Sequence, residues 1–217
     1  MAPAGCGRTV SNTSMRTFLV IACCVAGSVQ TEADRVVSRL RALPAALPPS
    51  PRSDGRPVPE EELRIDLYEE LRQLGPKALP ALKKGLRHPD VQLRRNVALA
   101  LSVLSGSWYS RSKTPMDISP LLPALVEALK DQDARARALS AAAIGNIGPS
   151  AVSAVPALIT LLGNRDEGSR NNACIALRGI GPAAKDALPA LRRALSDPSK
   201  DVRGFAERAI VAIQARL

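Results

Sequence analysis

The sequence predicts an all-α fold, a right-handed solenoid of about four stacked helix pairs with a capping helix at its N-terminal side. One observation is a repeat: Pro123, Pro156 and Pro189 are evenly spaced along the chain, each within an (L/V)-P-A-L motif. Pro80 opens a further copy, but ten extra residues separate it from the copy that begins near Pro123. The other observation is the scarcity of aromatic residues, which leaves Leu, Ile, Val and Ala for the core and favours closely packed helices.

Each copy has the pattern of a helix, a short turn and a second helix. In the first helix, leucines two and six residues after the proline share one apolar face. They are Leu82, Leu125, Leu158 and Leu191, then Leu86, Leu129, Leu162 and Leu195. Ten residues after the proline stands Asp or Ser, whose side-chain oxygen accepts a hydrogen bond from an unpaired N–H at the start of a helix. Leucine or isoleucine at two later positions of each copy completes the apolar stripe of the second helix. One such unit cannot bury its apolar face alone, so neighbouring units must stack.

The motif, an Asp four residues before an Arg, and an Ile-Gly-Pro junction at 147–149 and 180–182 together resemble the short bacterial HEAT repeat. This is the family that includes the HEAT-like repeats of phycobilin lyases. The resemblance covers roughly residues 60–217. It implies a stack of helix pairs and a ladder of Asp and Arg side chains between units. Armadillo and tetratricopeptide arrays are the nearest alternatives, but tetratricopeptide units depend on aromatic residues that this repeat lacks.

The Asp–Arg columns are interpreted as structural. The pairs are Asp90 with Arg94, Asp133 with Arg137, and Asp166 with Arg170. Each Asp is expected to cap a helix, and each Arg to form an ion pair either within the helix or between repeats. An exposed pair of this spacing contributes about 0.2–0.5 kcal/mol. Ser199 replaces Asp in the last copy, which leaves Arg203 to pair with Asp201 or Glu207.

Residues 1–30 have the pattern of a targeting segment. Met15 and Arg16 precede an apolar run at 18–29, whose length fits a signal peptide and is short for a membrane span. Small residues at 26–28 predict cleavage after Ser28. The polar residues 1–14 are unusual before a signal peptide, which a translation start at Met15 would explain. Lipidation of Cys23 and a buried or disordered N-terminal helix are the alternatives to a cleaved signal peptide. We therefore expect export across a bacterial inner membrane to a periplasmic or secreted location, with a cytoplasmic chain as the alternative.

The rest of the chain divides into predicted segments. Residues 31–43 have a short helical pattern, and residues 44–59 hold six prolines, which predicts an extended linker and a domain boundary. Residues 60–74 begin with three glutamates and predict the capping helix of a repeat domain at 60–217. The predicted repeats are 75–104, 119–147, 148–180 and 181–217.

An insertion of 14 residues at 105–118 contains the ten extra residues between Pro80 and Pro123. It holds the only tryptophan, Trp108, beside Tyr109. Insertions in solenoids form loops on one face, often the binding face, so this aromatic pair is a candidate anchor for a partner. The alternative is that Trp108 folds back and fills the gap between the first two units.

The sequence predicts neither an enzyme nor a cofactor or metal site. His88 is the only histidine and lies in a predicted turn, so no histidine-based catalytic triad can be built. Cys174 stands among small residues of a helix and is expected to be a buried small hydrophobe. Zinc-ligand spacing and a Gly-rich phosphate loop are both missing from the sequence.

The predicted function is therefore non-catalytic binding of another protein. The expected surface is the second helix of each unit, at these positions: Arg95, Asn96, Asn171, Asn172, Arg178 and Arg208. The net charge of +10, with a surplus of six in residues 60–217, also fits a nucleic-acid-binding module, although export argues against that partner. Contact with a membrane is expected only through an N-terminal anchor. A third hypothesis is a phycobilin-lyase-like accessory protein, which needs a tetrapyrrole-sized pocket.

Overall fold

The predicted all-α array of helix pairs is confirmed by a computed structural model that describes residues 31–43, 59–106 and 115–215. None of these described residues lies in a β-strand. The helices in chain order are α1 (Glu32–Leu40), α2 (Pro59–Leu74), α3 (Leu79–Leu86), α4 (Val91–Ser105), α5 (Leu122–Ala128), α6 (Ala134–Ile147), α7 (Val155–Leu161), α8 (Glu167–Ile180), α9 (Leu188–Ala194) and α10 (Lys200–Gln214).

Each repeat consists of a short first helix and a longer second helix. The pairs are α3–α4, α5–α6, α7–α8 and α9–α10. The repeat prolines lie at the second position of each first helix, where a missing N–H costs nothing because it has no partner inside the helix. Segments of 3₁₀ helix join one repeat to the next. Gly148 and Gly181 open two of them with φ of 74° and 66°, a backbone conformation that favours glycine.

The core runs between the repeats as a continuous row of aliphatic side chains. The second helices α4, α6, α8 and α10 pack on one another in order, and the first helices cover one side of that row. The leucines two residues after each proline, Leu82, Leu125, Leu158 and Leu191, have no exposed surface. Leu195 departs from its column and is 42% exposed, because no helix follows α10 in the described chain to cover it.

Two glycines bring α6 and α8 into backbone contact. A Cβ added to Gly179 would lie 2.3 Å from the carbonyl oxygen of Gly145. A Cβ added to Gly145 would lie 2.8 Å from Cα of Ala176. Only residues without a side chain permit this approach, so these glycines set the distance between the second and third repeats.

The structure corrects the predicted domain boundary. The unit that ends at Leu217 begins at Ala33, not at residue 60. Helix α1 buries the apolar side chains Ala33, Val36, Val37 and Leu40, and Leu43 is buried after it. These residues belong to the same hydrophobic core as the repeats. The sequence pattern missed this because residues 44–58 separate α1 from the helix that follows it.

Helix α2 spans Pro59–Leu74, where the sequence predicted a capping helix over 60–74. Its Leu67 and Leu71 are fully buried, whereas Leu63 is 41% exposed. Gly75 follows with a φ of 53° and so resembles the glycines at the later junctions. The predicted targeting segment and most of the Pro-rich linker lie outside the described residues.

Candidate partner-binding face

The turn inside each repeat is built by a side chain that caps the second helix. Asp90 accepts a hydrogen bond from the backbone N–H of Gln92, and Asp133 accepts one from Ala136. Asp166 accepts from Ser169, and Ser199 accepts from Asp201 and Val202. The predicted helix caps are therefore present in all four repeats.

The arginine of each repeat does not pair with the capping Asp four residues before it. The Nε atom of Arg94 donates to Asp131 of the next repeat at 2.6 Å, and Arg170 donates to Asp197 at 2.7 Å. The ladder thus runs between repeats, and its acceptor stands eight residues after the proline. Arg137 faces Asn164 there at 3.5 Å and donates to Ser169 at 3.2 Å.

The hydrogen bonds of Arg203 differ from those that the sequence predicted. Arg203 donates to the backbone oxygens of Asp197 and Pro198 rather than to the side chains of Asp201 or Glu207. The ladder arginines of the other repeats make the same two backbone contacts in their own turns. These arginines are therefore committed to structure.

The side chain eight residues after each proline also accepts a hydrogen bond within its own turn, which the sequence analysis did not predict. These side chains accept the backbone N–H of the capping residue two positions later: His88, Asp131, Asn164 and Asp197. The Nδ1 atom of His88 accepts from Asp90 at 3.1 Å and so takes the place of a carboxylate or amide. The signal was available, because Asp or Asn recurs at this position in three copies.

Ion pairs between repeats shift the pKa values of Asp197, Arg170 and Asp133. The hydrogen bond from Arg170 holds the pKa of Asp197 below its usual 3.8 and raises the pKa of Arg170. The hydrogen bond from Arg95 lowers the pKa of Asp133 in the same way. Burial raises the pKa of the Cys174 thiol to about 12, so this thiol is protonated at neutral pH, consistent with the predicted buried hydrophobe.

Two of the predicted partner-binding residues form hydrogen bonds within the fold. Asn96 is only 2% exposed, and its Nδ2 atom donates to the backbone oxygens of Leu40 and Leu43 at 2.7 and 2.9 Å. Arg95 donates through Nε to Asp133 at 2.8 Å. Asn96 is thus a buried contact to α1 and not a surface residue. The prediction failed here because α1 was assigned to a separate segment.

Three of the other predicted residues, Asn171, Arg178 and Arg208, lie on a surface that the second helices share. We call it the second-helix face and define it by four positions in each of α6, α8 and α10, separated by steps of three, four and three. Such steps place the positions on one side of a helix. All of them are partly or fully exposed: Arg135, Ala138, Ala142, Gly145, Gly168, Asn171, Ile175, Arg178, Asp201, Gly204, Arg208 and Val211.

Three arginines of the second-helix face are uncommitted, which means that their guanidinium groups form no hydrogen bond or ion pair with the described residues. Among the described residues, neither a hydrogen bond nor an ion pair engages the side chains of Arg135, Arg178 or Arg208. Arg208 lies over the ring of Phe205, 5.7 Å from its centre. Their neighbours on the face are mostly alanine and glycine. Asn172 lies beside this face, and its Nδ2 atom donates to the backbone oxygen of Gly168.

Trp108, Tyr109 and Cys23 lie outside the described residues, so their roles stay predictions. A groove of about 400 Å³ is lined by Met116, Asp117 and Asn146. Two smaller grooves of about 300 and 350 Å³ lie between the turns of successive repeats, beside Asp131 in both cases. In the described part of the chain, no three His, Cys, Asp or Glu side chains gather as a metal site would require.

Residues 134–161 are long and apolar enough, by length and composition, to cross a membrane. In the structure this stretch is broken at Gly148 into α6 and α7. Helix α6 has 14 residues, about 21 Å at 1.5 Å per residue, which is shorter than the hydrocarbon core of a bilayer at about 30 Å. Its apolar side chains pack against the neighbouring repeats.

The repeat geometry and the sequence lead to the same family. Residues 122–211 match the family model of HEAT repeats. The match covers 90 of the 217 residues, from the second to the fourth repeat, and makes this segment similar to HEAT repeats. No curated protein matches the chain.

Solved structures share the HEAT-like architecture. A chain in the complex of CpcE and CpcF of phycocyanin lyase from Nostoc sp. PCC7120 has a TM-score of 0.61 and 16% sequence identity, covering 82% of this chain and 96% of that one. Computationally designed armadillo repeat proteins for modular peptide recognition give a TM-score of 0.54 and 19% identity, with coverage of 93% and 94%. At such identities the likeness concerns the fold.

Proposed function

We propose that this HEAT-repeat protein is a non-catalytic scaffold that binds an acidic segment of another protein on its second-helix face. The observation that carries the proposal is the set of three uncommitted arginines, Arg135, Arg178 and Arg208. A positive surface attracts and orients an anionic partner. Designed armadillo repeat proteins for modular peptide recognition have a similar fold, which supports a protein or peptide partner in general.

The contrast between two classes of arginine supports this choice. Ladder arginines such as Arg94 and Arg170 already donate to carboxylates and backbone oxygens. The arginines of the second-helix face keep their donors for a partner. A guanidinium group can bind a carboxylate through two parallel hydrogen bonds, which makes it suited to glutamate and aspartate side chains. The alanines and glycines between the arginines let a partner chain approach the helices closely.

Charge reversal tests the proposal with a matched control. Arg178→Glu with Arg208→Glu alters the face, whereas Arg192→Glu with Arg193→Glu makes the same change of charge on α9, where both arginines are exposed. Each variant is used as bait for the proteins of its own cells, and poly-glutamate is titrated as a defined acidic probe. We expect the face variant to lose both interactions and the α9 variant to retain them. If both variants lost binding equally, binding would be explained by unspecific attraction between opposite charges.

Two other functions give different results in the same samples. A nucleic-acid-binding module would bind DNA or RNA more tightly than poly-glutamate, with a steep dependence on salt concentration. A phycobilin-lyase-like accessory protein would purify with a bound pigment and visible absorption. Either result would replace the scaffold proposal.

We also propose that the scaffold is exported, on the basis of the apolar segment at 18–29 and the small residues before position 29. Intact mass and cell fractionation test this directly. A chain beginning near Val29 in the exported fraction supports a secreted scaffold, and a lipid-modified chain beginning at Cys23 supports a tethered one. An uncleaved cytoplasmic chain contradicts export.

A further inference from the structure

The last repeat exposes positions that are buried in the repeats before it. Leu195 is 42% exposed, whereas the leucines in its column are at most 9% exposed: Leu86, Leu129 and Leu162. Glu207 is exposed, whereas the three residues in its column have no exposed surface: Ala98, Ala141 and Cys174. Ile210 is partly buried, whereas its counterparts are fully buried: Leu101, Ile144 and Leu177. In the first three repeats the next repeat covers these positions, and the described chain has no repeat after the fourth to cover them.

The ladder of arginines is also incomplete at this end. In the first three repeats, the Nε atom of the ladder arginine donates to a side chain of the next repeat: Asp131, Ser169 and Asp197. Arg203 donates through Nη1 to two backbone oxygens of its own turn. Its Nε and Nη2 atoms form no hydrogen bond with the described residues. These two donors are therefore available to bind a carboxylate.

Glu207 places a carboxylate one helical turn after Arg203. Residues four apart lie on the same side of a helix, so both charges belong to the exposed side of α10. Within the described part of the chain, Glu207 forms neither a hydrogen bond nor an ion pair. We call the surface of Leu195, Arg203, Glu207 and Ile210 the end face. It carries one unpaired positive and one unpaired negative group beside two apolar side chains.

The charges of the end face determine which partner fits it. A further repeat stacked in the usual way would bury Glu207 without a counter-charge, in a column where the other repeats have Ala or Cys. An acidic segment would pair with Arg203 but repel Glu207. A second copy satisfies both groups, because the order of the two charges is reversed when α10 runs antiparallel to itself. A two-fold axis between the copies then sets Arg203 of each opposite Glu207 of the other.

We propose that the end face is a self-association site, at which two copies of this chain pack their α10 helices antiparallel about a two-fold axis. Leu195 and Ile210 supply apolar area, and the two ion pairs fix the antiparallel direction. Symmetric dimers are the commonest oligomers, and their interfaces need a surface that is complementary to itself. The proposal goes beyond the binding of an acidic partner and does not depend on it.

Sedimentation analysis of the full-length protein over a range of concentrations measures self-association. We expect the wild type to pass from monomer to dimer as its concentration rises. Glu207→Arg should weaken the dimer by about tenfold or more, because both ion pairs become repulsive contacts. Leu195→Glu should weaken it as well, since it places a charge among the apolar contacts. Glu127→Arg makes the same change of charge on α5, where Glu127 is exposed, and should leave the dimer unchanged.

Exchange of charge between the two positions tests the two-fold arrangement. Arg203→Glu alone should weaken the dimer, whereas an equimolar mixture of Arg203→Glu and Glu207→Arg chains should form heterodimers, since every pair is again opposite in sign. Circular dichroism checks that each variant is folded. A mixture of folded chains that stays monomeric would overturn the proposal.

Two other results would also overturn it. One is a wild type that stays monomeric at every concentration, and the other is a dimer that Glu207→Arg and Leu195→Glu leave intact. Both of these variants change exposed residues, so they give an answer even if Arg203→Glu disturbs the turn that its Nη1 atom holds. The charge-reversal variants of the second-helix face retain Arg203 and Glu207, so the two proposals are tested separately.

Discussion

Gly179→Ala tests whether the backbone contact between α6 and α8 holds the second and third repeats together. The added methyl group would lie 2.3 Å from the oxygen, 2.9 Å from the carbonyl carbon and 3.1 Å from the Cα atom of Gly145. All three atoms are backbone, so no side chain can rotate away and the helices must separate. Overpacking of this kind costs about 1–3 kcal/mol or more. The higher helix propensity of alanine returns up to about 1 kcal/mol.

We therefore expect Gly179→Ala to lower the free energy of unfolding by about 1–2 kcal/mol or more. Urea unfolding followed by far-UV circular dichroism measures the change, and the melting temperature should fall by about 2–4 °C per kcal/mol. Gly204→Ala is the matched control, because Gly204 is also inside a helix and a Cβ there would meet nothing within 4 Å. Its effect should be a gain of up to about 1 kcal/mol. A change of stability in the same direction in both variants would contradict the predicted overpacking at Gly179.

Three further predictions concern the ladder and the buried thiol. Asp197→Ala should cost about 1–3 kcal/mol, and Asp197→Asn less, because Asn164 already fills the equivalent position. Since the pKa of Asp197 is lowered in the folded state, its stabilising effect is present above about pH 4 and is lost as the pH falls further. Urea unfolding at a series of pH values should therefore show that the free energy of unfolding of the Asn variant depends less on pH. Ser199→Asp restores the Asp found in the other repeats, but it should lower the free energy of unfolding in urea by about 1 kcal/mol. The reason is that Ser199 donates to Glu167 at 2.6 Å, whereas a carboxylate at 199 would repel the carboxylate of Glu167. Adding Glu167→Gln should restore the lost stability. With Cys6, Cys23 and Cys24 replaced by serine, Cys174 should react with Ellman's reagent on the order of 1000-fold more slowly in the folded than in the unfolded protein; equal rates would contradict its burial.

Much of the fold follows from local patterns in the sequence. The helix caps at Asp90, Asp133 and Asp166 were predictable because a cap depends on residues within one turn. The aliphatic columns were predictable because helical periodicity marks the buried side of each helix. The contacts between repeats were harder to predict from the sequence. That Arg94 selects Asp131 instead of Asp90 depends on how two repeats are placed in space, and residue spacing within one repeat cannot show this.

The candidate site was predicted only in part, for the same reason. Arg178 and Arg208 stand on the surface as expected, whereas Asn96 is covered by α1, a helix that the segment 44–58 separates from the next one. Arg135 belongs to the same face but was not singled out. Its column could have been recognised by counting steps of three and four from the predicted positions, since Arg135 stands at the first of the four positions that define the face.

In the second, third and fourth repeats, the side chain eight residues after the proline connects two repeats. Asp131 accepts an N–H from its own turn and also receives the guanidinium of Arg94 from the preceding repeat. A turn of this kind is complete only when its neighbour is folded, so each repeat helps to fold the next. Unfolding should consequently be transmitted along the array in blocks of at least two repeats. A mutation that removes one such carboxylate would shorten the cooperative unit and leave the repeats on its two sides partly independent.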